Sequence, residues 1–152
     1  MTNFFQMFIY QRIQKLSLFC LFILPLLYLA GCGGTVEVIE EVYDDDSPRL
    51  IRVYDKNDLE TPLKEIFYYP NGNKQMEGSF KNELRHGVWT YYYENGNKWS
   101  ENNFREGVYH GRTTTWHENG QKRYQGTYRN GEKTGYWKFW TEDGELSSKV
   151  KY

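Results

Sequence analysis

Hydrophobic positions follow two different patterns along the chain. Leu16 to Ala30 (LSLFCLFILPLLYLA) is one apolar run of fifteen residues without a charge. From about Lys64 to Tyr152, apolar and polar residues alternate in short runs, as in strands that bury one face. The second pattern recurs. FYYPNGNKQ (Phe67–Gln75), YYYENGNKW (Tyr91–Trp99), TTWHENGQKR (Thr114–Arg123) and FWTEDGEL (Phe139–Leu146) share one layout, and Asn71-Gly72, Asn95-Gly96, Asn119-Gly120 and Asp143-Gly144 lie 24 residues apart. A fixed period of this size is the signature of a repeat array.

Within each copy, Asn-Gly or Asp-Gly separates two runs rich in aromatic and β-branched residues, which predicts a β-hairpin closed by a type I′ turn. With Asn95 and Gly96 as the two turn residues, Tyr91 faces Ser100 and Trp89 faces Asn102. Side-chain alternation then sorts the strands into two faces. One gathers Phe67, Phe80, Trp89, Tyr91, Phe104, Tyr124, Tyr128, Trp137 and Phe139, with Ser100, Asn102, Thr113 and Thr115 as polar exceptions. The other is polar, with one aromatic per copy: Tyr68, Tyr92, Trp116 and Trp140. KNELRHG (Lys81–Gly87), REGVYHG (Arg105–Gly111) and RNGEKTG (Arg129–Gly135) read as loops between hairpins. The expected fold is therefore all-β, an elongated twisted antiparallel sheet of successive hairpins over 64–152. A degenerate capping repeat precedes it over 48–63, with a strand at Leu50–Tyr54.

The chain start differs in kind. Arg12 and Lys15 are the only charges before the apolar run ends, which is the layout of a signal peptide over 1–31 rather than of a spanning helix of ~20 apolar residues. Leu29-Ala30-Gly31-Cys32 resembles the lipobox of bacterial lipoproteins. That resemblance implies acylation at Cys32, membrane attachment through the lipid, and export. Gly33 after Cys32 favours the outer membrane over the inner. Gly33 to Ser47 holds six acids and no base, whereas Pro48 to Tyr152 holds 17 bases and 14 acids. Residues 32–47 read as a lipidated, solvated acidic tether, with Val36–Val42 able to form a marginal strand. The mildly basic remainder lacks the charge of a nucleic-acid module.

HGVWTYYYENGNKW and TGYWKFWTEDG, with SFKN, NFRE and TYRN at the next strand ends, resemble the bacterial variant of the MORN repeat. Two positions depart from the pattern: Thr113 stands where Trp89 and Trp137 stand, and Asn102 where Gly78 and Gly126 stand. The resemblance implies a scaffold or interaction module without a family-wide active site. Many bacterial members carry an antitoxin label, a role for which an export signal has no use.

Candidate chemistry is sparse. His86 and His110 are equivalent positions one repeat apart, about 9.5 Å by strand spacing, too far to share a zinc ion near 2 Å from each. Glu94, Glu118 and Glu142 recur beside the turns, but repetition gives each the same environment, whereas catalytic carboxylate pairs need unlike ones. No metal, cofactor or catalytic residue is expected. The leading expectation is a lipid-anchored binding or structural protein of the cell envelope, with a protein or envelope polymer as partner. Tyr68, Tyr92, Trp116 and Trp140 form its candidate binding column; the alternative for those rings is to cover the sheet beside Trp99 and the stems of Lys98 and Lys122. An immunity or antitoxin protein and an exported carbohydrate-active enzyme are the competing functions.

Overall fold

A computed structural model describes residues 34–152. They form one antiparallel sheet of ten strands in chain order: β1 (Thr35–Val42), β2 (Pro48–Asp55), β3 (Asp58–Tyr68), β4 (Lys74–Lys81), β5 (Leu84–Tyr92), β6 (Lys98–Arg105), β7 (Val108–Trp116), β8 (Lys122–Arg129), β9 (Glu132–Trp140) and β10 (Leu146–Lys151). The expected all-β hairpin array is the observed fold. β1 pairs with β2 through Val36↔Tyr54 and Val38↔Arg52, so Thr35–Val42 is not a solvated tether. Alternation decides this: every second residue of the run is apolar up to Val38, and Val36 and Tyr54 are both buried.

The two kinds of turn are exchanged relative to the sequence expectation. In the hairpin β5–β6, Gly96 N–H donates to Tyr93 O and Tyr93 N–H to Asn97 O. Only Gly96 has positive φ (+89°), so Glu94 and Asn95 form a type I turn followed by a left-handed glycine. This loop is one residue longer than a type I′ turn. A bulge absorbs the difference: Tyr91 pairs with Ser100 and Tyr92 with Lys98, leaving Trp99 as the extra residue. The expected register beyond the bulge therefore stands although its turn does not. Gln75, Arg123 and Ser147 are the extra residues at the matching places.

The type I′ turns lie instead inside the stretches expected as loops. Strands run through those stretches, and Asn82-Glu83, Glu106-Gly107 and Asn130-Gly131, all with positive φ, close β4–β5, β6–β7 and β8–β9.

The sheet has one layer, and its core lies on the face that the sequence marks as apolar. Trp89 is 0% exposed and Trp137 1%. Their rings join a run of edge-to-face and stacked contacts, Phe80–Trp89–Phe104–Tyr109–Tyr128–Trp137, with centroids 4.6 to 6.2 Å apart.

Candidate binding surfaces

Tyr68, Tyr92, Trp116 and Trp140 are the last residues of β3, β5, β7 and β9, and all four are half-buried. The turn before each one holds its backbone. Tyr43, Tyr69 and Tyr93 donate their hydroxyls to the carbonyls of Tyr68, Tyr92 and Trp116 at 2.7, 2.9 and 2.9 Å. His117 Nε2 lies 3.2 Å from the Trp140 carbonyl in the same role. A parallel ladder of amides runs along the turn tips: Asn71 and Asn73 donate to Glu94 O, Asn97 to Glu118 O, and Asn119 to Glu142 O. The recurring Asn-Gly-Asn motif thus does two jobs, folding its own turn and tying it to the next. The acids Glu94, Glu118 and Glu142 take part through their carbonyls.

The sequence alone does not reveal the first rung of this ladder. Tyr43–Ser47 repeats the turn hydrogen bonds, with Asp46 (φ +64°) in place of the glycine, and its interval to the next turn is 26 residues rather than 24. The aspartate and the altered spacing conceal it; the aligned tyrosine was the available signal.

Cations flank the column. Lys98 Nζ lies 5.8 Å from the Trp116 ring and Lys122 Nζ 5.7 Å from that of Trp140. Trp99 is not a neighbour of the column as expected. As a bulge residue it turns to the opposite face, 6.0 Å from Tyr91. Glu77 is the electrostatic hub of the column side. Burial would raise its pKa, but hydrogen bonds from Lys64, Lys74 and the Tyr92 hydroxyl (2.7, 3.0 and 2.9 Å) bring it down to about 2. Burial, and then the carboxylate beside it, pushes the Tyr92 phenol up to about 12.

On the opposite face, cross-strand partners differ from repeat to repeat. A Cβ on Gly78 would lie 2.1 Å from the Trp89 ring, and one on Gly126 2.2 Å from that of Trp137. Each indole therefore lies flat on a glycine of the preceding strand and requires it. Over each indole sits a cation, Arg85 at 4.1 Å and Lys133 at 4.6 Å. The equivalent residues of the intervening repeat are Asn102, Thr113 and Tyr109. Thr113 Oγ1 donates to Asn102 Oδ1 at 2.5 Å, and Asn102 Nδ2 to Ser100 Oγ at 3.2 Å, all three residues being buried. The two departures from the repeat pattern are one compensated exchange, since a side chain fits in place of glycine only where tryptophan is absent. Upstream, Arg52 pairs with Glu65 at 3.7 Å in the matching place. Polar pairs and Gly–Trp pairs thus alternate along the sheet.

Cys32 and the apolar run lie outside the described residues. Among the described residues, no helix is long and apolar enough to cross a membrane, and no group of three or more His, Cys, Asp or Glu could hold a metal ion. His110 meets Asn130 Oδ1 at 3.2 Å rather than another histidine.

No curated protein matches the chain. Among protein families, the one described as MORN repeat variant matches residues 63–82, 85–106, 109–130 and 133–152, more than half of the chain. Each matched segment covers most of one of the hairpins β3–β4, β5–β6, β7–β8 and β9–β10.

Proposed function

The chain belongs to the MORN repeat variant family, whose repeats build binding or structural arrays, and on that premise we propose a non-enzymatic lipoprotein that presents its sheet to a partner at the bacterial cell envelope. The anchor is the acylated Cys32, which follows Leu29-Ala30-Gly31 at the end of the apolar run. Stable attachment requires more than one acyl chain, as a diacylated and N-acylated cysteine provides, and the outer membrane is the favoured destination. The partner is a protein or an envelope polymer, met by Tyr68, Tyr92, Trp116 and Trp140.

The observation that carries this reading is the ladder under the column. Each aromatic residue stands at a strand end whose carbonyl is fixed by the preceding turn, so the backbone presents four half-exposed rings at equivalent places of successive hairpins. Rigid amphipathic rings lose little entropy on contact and are favoured at recognition surfaces.

Capture from detergent-solubilised envelopes, with the lipidated protein as bait, tests the reading. Tyr92→Ser with Trp116→Ser is expected to abolish capture, with a fall in the unfolding midpoint no larger than that of Tyr92→Phe, which loses only the hydrogen bond to Glu77. A fall in the midpoint with capture intact means that the column only covers the sheet. In parallel, Cys32→Ser is expected to leave the protein unattached to membranes; sedimentation with membranes that resists salt extraction contradicts the anchor.

A further inference from the structure

The exchange of Gly–Trp for Asn–Thr in the middle of the sheet removes an indole and leaves a cleft of about 350 Å³. That volume falls at the small end of the range for small-molecule sites, roughly 300–1,000 Å³. Four aromatic rings wall it: Tyr91, Trp99, Tyr109 and Tyr124. Ser100, Asn102 and Thr115 line it more deeply, all of them buried. Thr115 Oγ1 is buried without a hydrogen-bond partner, an arrangement that costs stability unless something else completes it. Arg123, exposed on the next bulge, makes no ion pair among the described residues and is the one charge lining the cleft.

Two features indicate a site rather than a packing lapse. Tyr109 replaces the cation that covers the indole in the neighbouring repeats, so the position that closes those repeats here becomes a wall. Trp99, the one aromatic among the bulge residues Gln75, Trp99, Arg123 and Ser147, stands against Tyr91 at its side. Repeat geometry alone requires neither residue.

We propose that this cleft binds a pyranoside bearing a carboxylate, as in a hexuronic acid chain. Flat rings suit the apolar C–H faces of a pyranose, while hydroxyl and amide groups beneath them suit its hydroxyl edge. Among the described residues, no acid lines the cleft to balance a cationic ligand. A lone arginine suits one carboxylate, which it can hold with two parallel N–H···O bonds, better than a polyphosphate. The site lies on the face opposite the Tyr68–Trp140 column and stands independently of it.

Calorimetric titration of the full chain with trigalacturonate, using maltotriose as the neutral control, tests the proposal. Trigalacturonate is expected to bind saturably and maltotriose at least tenfold more weakly. Arg123→Gln, at an exposed position, is expected to weaken trigalacturonate binding by about tenfold or more. Thr115→Val is expected to weaken it as well, with an unchanged or higher melting temperature, because the substitution removes an unpaired buried hydroxyl. Asn102→Gly with Tyr109→Arg and Thr113→Trp rebuilds the packing of the neighbouring repeats, and this variant is expected to melt no lower than the wild type yet not to bind. Tyr92→Ser with Trp116→Ser is expected to keep trigalacturonate affinity, which separates this site from the column. Absence of saturable binding, equal affinity for maltotriose, or an Arg123→Gln variant that binds as the wild type does overturns the proposal.

Discussion

Glu77 joins three elements, accepting from Lys64 on β3, Lys74 on its own strand and Tyr92 on β5, with its side chain 19% exposed. Its pKa falls from the ordinary 4.5 to about 2 in the folded chain. A carboxylate depressed in this way contributes stability that is fully present above the unfolded value and lost as pH falls toward the folded one. The window is therefore pH 4.5 down to 2. On the order of 2 kcal/mol of unfolding free energy is expected to disappear across it. Urea denaturation at several pH values checks this, and Glu77→Gln is expected to flatten the acid limb. An equally steep limb in the variant contradicts the role assigned to Glu77.

At the scale of the elements, sequence legibility divided sharply between register and turns. The 24-residue period and the pairing of Tyr91 with Ser100 were readable because alternation determines which side chains share a face. Turn type was not readable, because Asn-Gly serves equally well in a type I′ turn and in a type I turn followed by a left-handed glycine. Two of the type I′ turns were hidden behind Asn82-Glu83 and Glu106-Gly107, where glutamates with φ of +63° and +52° give no glycine signal at those positions, whereas Asn130-Gly131 carries the dipeptide inside a stretch that reads as a loop. β1 read only as a marginal strand within an acidic tether because of its acids, although Val36 and Val38 already alternate correctly. Glu83 occupies the place of Gly107 and Gly131 in a left-handed conformation that costs a side-chain-bearing residue roughly 1–2 kcal/mol. Glu83→Gly is therefore expected to raise unfolding stability by ~0.5–1 kcal/mol after the added freedom of the unfolded chain is offset. An unchanged or lower urea midpoint contradicts the turn assignment.

At the scale of the whole molecule, each hairpin rests only on its neighbours, so stability is a sum of nearest-neighbour interfaces. Those interfaces come in two kinds, Gly–Trp with a cation above the indole and the polar pairs Arg52–Glu65 and Asn102–Thr113. In the sequence, Asn102 and Thr113 are two separate irregularities, because their relation depends on the turn between β6 and β7, which reads as a loop. The column Tyr68, Tyr92, Trp116 and Trp140 could be read from period and alternation, whereas the cleft beside Asn102 requires both registers at once. Glycine and indole depend on each other, and thermal unfolding of Gly78→Asn, Trp89→Thr and the double variant measures that interdependence most directly. Gly78→Asn alone drives a side chain into the Trp89 ring, and Trp89→Thr alone empties a buried indole site, a truncation of the kind that costs ~3–5 kcal/mol. The double variant is predicted to melt above Gly78→Asn, with a coupling of ~1–3 kcal/mol between the two positions. Additive losses, leaving the double variant below both single variants, would contradict that interdependence.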